Sequence, residues 1–381
     1  MSVRSLLLLL SLGGCASLGP SVQPSPGAIK APERSAQEIA NQAADAFDAG
    51  RLAEAQAAYA ELTLRAPNLV AVQFDLGLIA ERQGRLTEAI ERYEAARALD
   101  PRHKPTLLNL GRVSSAAGHP EAAVALYEAA LKLAGNENDL ELTNNLAVAY
   151  RLTKRLDDAE RAAQRVLARA RDNPLAYQTL ALVAYDRGNF RLAELLALHA
   201  QRLDASAPGP ANTLGLIALG RGELRAAHAH FRRALALDAR SVPALTNLAA
   251  LALTYRDSAG AERVLRTLVE LEPTSVEGLI SLGWALQGQP RKSTEAGRAF
   301  EQALALQPDR VEALCGAAWA FSSDRASWEK SFGYFERCRA SPRTSEADRL
   351  ALDTKVKSLR ALQLSGPSTN APSPRGGSDS P

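Results

Sequence analysis

The residues most able to carry chemistry in this sequence are its five histidines and three cysteines. Two histidines share a metal ion on a helix only if they lie three or four residues apart, on one face. His228 and His230 are two residues apart, so a helix would point them to different faces. The sequence also has no glycine-rich phosphate loop, nucleophile elbow or zinc-binding pattern. It therefore predicts no metal site, no cofactor and no catalytic centre, and we expect the protein not to be an enzyme.

The overall composition favours helices and argues against nucleic acid as a partner. Hydrophobic residues make up 46% of the chain, but aromatic residues only 5%. A core of small side chains suits closely packed helices better than a sandwich or barrel. The net charge is only +3 over 381 residues, without a basic block. Binding to the phosphates of nucleic acid would require a denser positive surface.

Cys15 ends a segment that is typical of an export signal. Arg4 precedes a short apolar run from Leu6 to Leu12, and two glycines stand directly before the cysteine. The run is too short for a membrane span, which needs about 20 residues. One interpretation is an ordinary signal peptide with an incidental cysteine. The other is a lipoprotein signal, because the pattern resembles the lipobox of bacterial lipoproteins, whose cysteine is acylated after cleavage.

We adopt the lipoprotein interpretation, with a signal peptide over residues 1–14 and acylated Cys15 as the membrane anchor. Two or more acyl chains hold a protein stably on a membrane. By analogy with enteric bacteria, an aspartate after the cysteine would retain the protein in the inner membrane, whereas this chain has Ala16. The sequence thus predicts a lipid-anchored protein on the periplasmic face of the outer membrane. Residues 15–35 and 365–381 are rich in proline and serine, and we expect a flexible tether and a disordered tail.

Between these flanks the chain repeats about every 34 residues, which is the signature of a stack of helical hairpins. Nine units begin at Ala36, Val70, Lys104, Leu140, Pro174, Pro208, Val242, Val276 and Val311. We number the positions within each unit as places, and the eighth place is always small. It is occupied by Ala43, Gly77, Gly111, Ala147, Ala181, Gly215, Ala249, Gly283 and Ala318.

Two further columns show why small residues recur. The twentieth place, allowing one extra turn residue in the last two units, is occupied by Ala55, Ala89, Ala123, Ala159, Ala193, Ala227, Ala261, Ala296 and Ser331. The twenty-fourth place is aromatic in six units, at Tyr59, Tyr93, Tyr127, Phe231, Phe300 and Phe335. Small residues let two antiparallel helices approach closely, and the ring fills the gap beside them.

This repeat resembles the tetratricopeptide repeat (TPR) family over residues 36–344. The resemblance implies an all-α, right-handed superhelical solenoid of about nine hairpins. Residues 345–364 are then expected to form a C-terminal capping helix. Ser345 would be its N-cap, and its apolar stripe would consist of Leu352, Val356, Leu359 and Leu362.

The sixth place is the candidate binding column, since it holds a hydrogen-bonding residue in eight of nine units. The TPR resemblance implies that this place faces a concave groove, and a similar asparagine ladder in the O-GlcNAc transferase superhelix holds peptide backbone. Asparagine can donate and accept, which suits an extended strand. Alternatively, asparagine is a consensus residue that caps local structure. The predicted groove residues are Asn109, Asn145, Thr179, Thr213 and Asn247, with Trp284 and Trp319 nearby.

The remaining cysteines, Cys315 and Cys338, both fall in the ninth unit. Their places, the fifth and the twenty-seventh, lie near one another in an antiparallel hairpin, and the periplasm is oxidising. They form either a disulfide or two buried thiols that act as small apolar groups.

Together these features predict a scaffold that binds envelope proteins or peptide segments in its groove, without nucleic acid. Envelope TPR lipoproteins that the chain resembles include pilotins of type IV pili, assembly factors of outer-membrane machines and the TPR lipoprotein of myxobacterial gliding motility. The predicted role is to assemble or stabilise a motility, pilus or secretion machine. The alternative is an accessory or glycan-binding subunit of an envelope enzyme complex. A glycan groove would favour aromatics along its length, whereas both groove tryptophans cluster at one end.

Overall fold

The computed structural model describes residues 34–365, and this part of the chain is built from helices. It contains nineteen α-helices, one short 3-10 turn at Arg325–Ser327 and no β-strand within those residues. In chain order the helices are α1 Ala36–Asp48, α2 Leu52–Arg65, α3 Val70–Arg82, α4 Leu86–Leu99, α5 Lys104–Ala116, α6 Pro120–Leu131, α7 Leu140–Leu152, α8 Leu156–Arg169, α9 Pro174–Asp186, α10 Phe190–Leu203, α11 Pro208–Gly220, α12 Leu224–Leu237, α13 Val242–Thr254, α14 Ser258–Leu271, α15 Val276–Gln287, α16 Ser293–Leu306, α17 Val311–Phe321, α18 Trp328–Ala340 and α19 Glu346–Leu364.

These helices pair into hairpins, and the first helix of every hairpin begins at the residue where a sequence repeat begins. The chain divides into two compact units at Asp238 and Ala239. Over residues 34–238, the first unit contains six hairpins, α1 to α12. Over residues 239–365, the second contains three hairpins, α13 to α18, followed by α19. The prediction of an all-α fold with nine hairpins and a C-terminal helix is confirmed.

Within each unit, every helix packs against the next one along the chain. First helices also pack against the first helix of the following hairpin, as in α5 with α7, α7 with α9 and α9 with α11. In the second unit, α13 with α15 and α15 with α17 do the same. Among the described residues, no two second helices pack as closely. The first helices therefore lie on the inner side of each unit, and the second helices on its outer side.

In four hairpins the core contains a contact between a glycine at the eighth place and an aromatic ring at the twenty-fourth place. A Cβ atom added to Gly77 would lie 2.5 Å from a ring carbon of Tyr93, whose side chain is completely buried. The glycines at this place in hairpins three, six and eight meet the aromatic ring of the same hairpin in the same way. Where the eighth place is alanine, as in hairpins four and five, the facing residue is Ala163 or Ala197. The sizes of the two residues are thus matched within these hairpins.

The turn between the two helices is closed by backbone hydrogen bonds around a residue with positive φ. In hairpin two, the Gly84 N–H donates to the Glu81 carbonyl at 2.9 Å, and the Arg85 N–H donates to the Ala80 carbonyl at 2.9 Å. This is the Schellman arrangement, which requires a left-handed residue after the helix. Glycine supplies it in five hairpins, at Gly50, Gly84, Gly118, Gly188 and Gly222.

Lys154 and Arg256 take the place of glycine in hairpins four and seven, and both keep the left-handed backbone, with φ of 61° and 57°. The hydrogen bonds are also kept, since Lys154 N–H donates to the Arg151 carbonyl at 3.0 Å. A side chain in this conformation costs roughly 1–2 kcal/mol, because its Cβ crowds the following carbonyl oxygen. The surrounding hairpin therefore holds these two residues in a left-handed conformation that their own side chains disfavour.

Lys154→Gly is therefore expected to stabilise the protein. Relief of the Cβ clash is partly offset by the greater freedom of glycine in the unfolded chain, which leaves a net gain of about 0.5–1 kcal/mol. The midpoint of urea unfolding measures it. Gly188→Lys, the reverse exchange in hairpin five, should lower the midpoint, and two shifts of the same sign would contradict this account.

The ends of the helical array are capped by specific contacts. Ser35 is the N-cap of α1, and it forms a reciprocal capping box with Glu38. Arg34 donates to Glu61 at 2.6 Å, so the last two residues of the predicted tether are joined to the first hairpin. At the other end, Ser345 accepts a hydrogen bond from the Asp348 N–H and caps α19.

The apolar stripe of α19 is shorter than predicted. Leu352 and Leu359 are buried and Val356 is half-buried, but Leu362 is 55% exposed, although the neighbouring Gln363 donates to Glu329 of α18 at 2.9 Å. The predicted signal peptide, acylated Cys15, most of the tether and the tail beyond residue 365 lie outside the described residues. No helix within residues 34–365 has the length and apolarity needed to cross a membrane.

Candidate functional site

The candidate site of the first unit is the inner face of its first helices, which we call the inner surface. Places 2, 6, 9 and 13 recur at spacings of three and four residues, so they share one face of each first helix. In α7 these places hold Glu141, Asn145, Val148 and Leu152. Val148 and Leu152 are 40% and 41% exposed, although apolar side chains of this size are usually buried. The inner surface thus places exposed apolar side chains beside the Asn145 amide.

The amides of the predicted ladder are half-buried and engaged within their own helices. Asn109 accepts a hydrogen bond from Arg112 at 2.9 Å, through its side-chain oxygen. Asn145 donates to the carbonyl of Glu141 at 2.9 Å. Both bonds leave other donor or acceptor positions of the amide unused, because an amide can form four. A ligand backbone can therefore bind to these amides without breaking the hydrogen bonds that they form within their own helices.

Ion pairs join neighbouring first helices across the same surface. Arg112 of α5 lies 2.6 Å from Glu81 of α3, and Arg151 of α7 lies 2.9 Å from Asp186 of α9. The Arg151–Asp186 pair is mostly buried, with side chains 20% and 13% exposed, so it is weakly screened by solvent. These pairs fix the spacing of the first helices that carry the amides and leucines.

Thr179 and Thr213 differ from the expectation that they line a groove. Their exposed fractions are 3% and 1%. A threonine side chain is shorter than asparagine, and the Thr213 hydroxyl turns back to donate to the Gly209 carbonyl at 3.0 Å. These two residues therefore support the helices and do not reach a ligand. In hairpins five and six the inner surface is formed instead by the half-buried Leu182 and Leu216, with Leu219 38% exposed.

The second unit contains the other three predicted groove residues. Asn247 is half-buried and already has an interaction partner. Trp284 is 41% exposed, and its ring packs edge-on against Phe300 at a centroid distance of 5.1 Å. Trp319 is half-buried, and the ammonium of Lys355 on α19 lies 5.7 Å from its ring centroid. The C-terminal helix thus covers part of Trp319, and Trp284 is the more accessible of the two.

Asp75, the sixth-place residue of hairpin two, is buried and lacks a full set of partners. Its Oδ2 atom has no hydrogen-bond partner among the described residues, while the Tyr59 hydroxyl bonds to the carboxylate. Burial raises the pKa of Asp75 to about 6, and the nearby Asp48 adds to this effect. The raised pKa means that the folded protein disfavours the ionised form.

Asp75→Asn is therefore expected to stabilise the protein at pH 8 but not at pH 4. The pKa of the folded state, about 6, lies above the ordinary value of 3.8. Ionisation thus destabilises the fold above pH 6, and this penalty disappears as the pH falls through that interval. We expect a gain of about 1–2 kcal/mol at pH 8, since the amide still lacks a second partner. Urea unfolding at both pH values measures it, and an equal effect of Asp75→Asn at pH 4 and pH 8 would contradict this account.

The described cysteines and histidines lie away from the inner surface of the first unit or are engaged within the fold. Cys315 of α17 and Cys338 of α18 are joined by a disulfide, with Cα atoms 5.2 Å apart. His228 is exposed, and burial lowers the pKa of His230. Over residues 34–365, no three histidine, cysteine or acidic side chains are grouped as metal ligands would be. The disulfide stabilises the last hairpin beside α19.

Sequence reasoning missed several residues of the inner surface. Val148, Leu152 and Leu219 were not identified, nor were the ion-paired Arg112 and Arg151. Their signal was present, because each lies at place 9 or 13, on the face of the asparagine ladder, or at place 12, three residues after place 9. Reading the whole helical face, rather than a single column, would have included them.

Comparison with known families agrees with this geometry. Two models described as tetratricopeptide repeat match residues 68–136 and 114–184. Residues 68–184 match the tetratricopeptide repeat. The matched segment covers hairpins two to four and part of hairpin five, and the other hairpins share the same helical pairing and the same sequence period. No curated protein matches the chain.

Solved structures support the same fold. A tetratricopeptide repeat protein from Parabacteroides merdae is 17% identical, with a TM-score of 0.52 over 66% of this chain and 98% of that one. Yeast Tom70 is 13% identical, with a TM-score of 0.39 over 86% of this chain and 96% of that one. YrrB, described as a TPR protein with an unusual peptide-binding site, is 16% identical, with a TM-score of 0.45 over 51% of this chain and 98% of that one. At these identities only the fold is shared, and the first structure carries that conclusion.

Proposed function

We propose that this TPR protein is a protein–protein interaction scaffold that binds an extended polypeptide segment on the inner surface of its first unit. The observation that supports this most is the combination, on α7, of the Asn145 amide with the exposed Val148 and Leu152. TPR folds commonly serve as such scaffolds.

The chemistry of the inner surface suits a peptide better than a small polar ligand. The amides of Asn109 and Asn145 can pair with the N–H and C=O groups of an extended strand. The leucines beside them can bury alternate side chains of that strand, which point to one face. The charged pairs Glu81–Arg112 and Arg151–Asp186 would set its register through local charge.

We further propose that the protein works in the bacterial envelope, anchored to the outer membrane through acylated Cys15 and facing the periplasm. The apolar run before the Gly-Gly-Cys sequence supports export and acylation. The Cys315–Cys338 disulfide supports an oxidising compartment, because thiols in the cytosol are kept reduced. In that setting the scaffold would assemble or stabilise an envelope machine for motility, pilus formation or secretion.

The test of peptide binding uses the mature protein on an array of overlapping 15-residue peptides from the envelope proteins of its own host. Peptides that bind are then titrated against Asn109→Ala with Asn145→Ala. The loss of two or more hydrogen bonds, each worth about 0.5–1.5 kcal/mol net, predicts roughly five- to 150-fold weaker binding. The helical circular dichroism signal should not change, because neither residue is in the core.

A matched control replaces exposed residues of second helices, Glu91→Ala with Arg97→Ala on α4. This variant should bind every selected peptide as tightly as the unchanged protein. If the control weakens binding while the asparagine variant does not, the ligand lies on the outer side and the proposal is wrong. The anchor is tested separately, since Cys15→Ser should leave uncut precursor without acyl chains in mass spectra.

A further inference from the structure

The outer side of the first unit carries one apolar feature that the other hairpins lack. Leu192, Leu195 and Leu198 on α10 are 44%, 59% and 40% exposed. They occupy places 19, 22 and 25 of hairpin five, at intervals of three residues along one face of the helix. We call these three residues the leucine stripe. It points away from the core, which α10 contacts through Ala193, Ala197 and other small residues.

The other eight hairpins provide an internal control for this feature. At the same three places they carry charged residues, glutamine, alanine or glycine, and never a leucine or another large apolar residue. In hairpin two, for example, the places hold Glu88, Glu91 and Glu94. The TPR fold therefore does not require leucine there. The fold does not need the leucine stripe, and exposing it to water is unfavourable. The stripe therefore indicates a contact with another molecule.

The charges around the leucine stripe indicate the chemistry of that molecule. Arg191 and Arg202 lie on the exposed face of α10, one near each end of the stripe. On α8, α10 and α12 together, the exposed charged residues are one aspartate, Asp157, and eight arginines, Arg161, Arg165, Arg169, Arg191, Arg202, Arg225, Arg232 and Arg233. The half-buried acids of these helices are already paired, as Glu194 is with Arg221 at 2.8 Å and Asp158 is with Arg161, which leaves the other seven arginines as excess positive charge. The apolar stripe is thus bordered by positive charge.

We propose that the leucine stripe and its arginine border form a second docking site, which binds an acidic amphipathic helix of a partner protein. Leucines at three-residue intervals match the apolar face of such a helix. The acidic side chains flanking that face would then meet the arginines. This site lies on the outer side of the unit and is separate from the inner surface. One scaffold can hold two polypeptides through the two sites.

Charge argues against two other candidate occupants, a second copy of this chain and the terminal segments of the chain itself. A second copy joined through the same site would bring two arginine borders together, which like-charge repulsion disfavours. Residues 366–381 contain no large apolar residue, and their single arginine and single aspartate cancel. Residues 1–33 contain Arg4, Lys30 and Glu33, so their charge is also not acidic. An acidic partner from outside the chain is the occupant that fits.

The test uses the mature protein and a labelled 18-residue helical peptide with leucine on one face and glutamate elsewhere. Its affinity is measured by fluorescence anisotropy. Leu192→Gln, Leu195→Gln and Leu198→Gln combined should weaken binding at least tenfold, as should Arg191→Glu with Arg202→Glu. Leu64→Gln is the matched control, because Leu64 is a lone leucine on α2 that is 86% exposed. It should bind normally, as should Asn109→Ala with Asn145→Ala on the inner surface.

Several outcomes would overturn this proposal. One is an acidic peptide that binds the triple glutamine variant as tightly as the unchanged protein, and another is no binding of that peptide at all. A third is equal binding of the same peptide with lysine in place of glutamate, since the arginines should repel it. A fourth is leucine-dependent binding to vesicles of equal parts phosphatidylglycerol and phosphatidylcholine, which would assign the stripe to a membrane surface.

Discussion

Gly77→Ala is expected to lower the free energy of unfolding by about 1–3 kcal/mol, even though alanine is the better helix former. The added Cβ would lie 2.5 Å from the Tyr93 ring, well inside van der Waals contact. The ring cannot move aside easily, because it is fully buried and its hydroxyl donates to Glu81 at 3.0 Å. The midpoint of urea unfolding measures the loss.

The same substitution should have the opposite sign once the ring is removed. Tyr93→Ala alone should cost about 3–5 kcal/mol, because it leaves a cavity in the core of hairpin two. In that background Gly77→Ala fills space and improves helix propensity, so it should stabilise by up to about 1 kcal/mol. The two substitutions together recreate the pair that hairpin four has at Ala147 and Ala163.

The reversal of sign is what tests the packing, since either single variant could be destabilising for other reasons. The two effects of Gly77→Ala imply a coupling on the order of 2–3 kcal/mol. Ala147→Gly in hairpin four is the control, since it faces no ring and should cost only about 1 kcal/mol of helix propensity. Additive effects of Gly77→Ala and Tyr93→Ala would mean that the two places do not touch.

Removal of the disulfide should destabilise the second unit by a similar amount and leave the stability of the first unit unchanged. Cys315→Ala with Cys338→Ala opens a loop closed across 23 positions of sequence. The entropy of closing a loop of that length corresponds to about 3 kcal/mol of stability. Hydrogen exchange in α17, α18 and α19 should accelerate, while exchange in α1 to α12 should not.

A reductant separates the disulfide from the packing of the two side chains. It should lower the unfolding midpoint of the unchanged protein, but not that of the double alanine variant. Cys338 is completely buried, so its replacement alone also creates a small cavity that the reductant does not. Equal midpoints with and without reductant would show that the bond does not stabilise the hairpin.

Much of the fold follows from the sequence because the determinants are local and repeated. The start of each hairpin is marked by the 34-residue period, and the close approach of its helices by the small eighth place. Even the non-glycine turns at Lys154 and Arg256 could be located, since the repeat continues through them unchanged. Because the motif occurs nine times in one chain, its copies can be compared with one another as related sequences are compared in an alignment.

The site was harder to predict, because exposure depends on contacts between hairpins. Asn145 and Thr213 occupy the same place in the repeat, yet one is half-buried and the other is 1% exposed. Leu362 continues an apolar spacing, yet it is 55% exposed. The raised pKa of Asp75 likewise arises first from its burial and then from the charge of Asp48 in the preceding hairpin. None of these outcomes can be read from one helix alone.

In the described part of the first unit, first helices of neighbouring hairpins pack against one another, whereas no two second helices pack as closely. Bending that moves the second helices apart therefore breaks no close contact between them, whereas bending that separates the first helices breaks such contacts and pairs such as Arg151–Asp186. The first unit is thus stiffer along its inner edge than along its outer edge. A unit built this way can flex with a bound partner while the spacing of its inner edge stays constant.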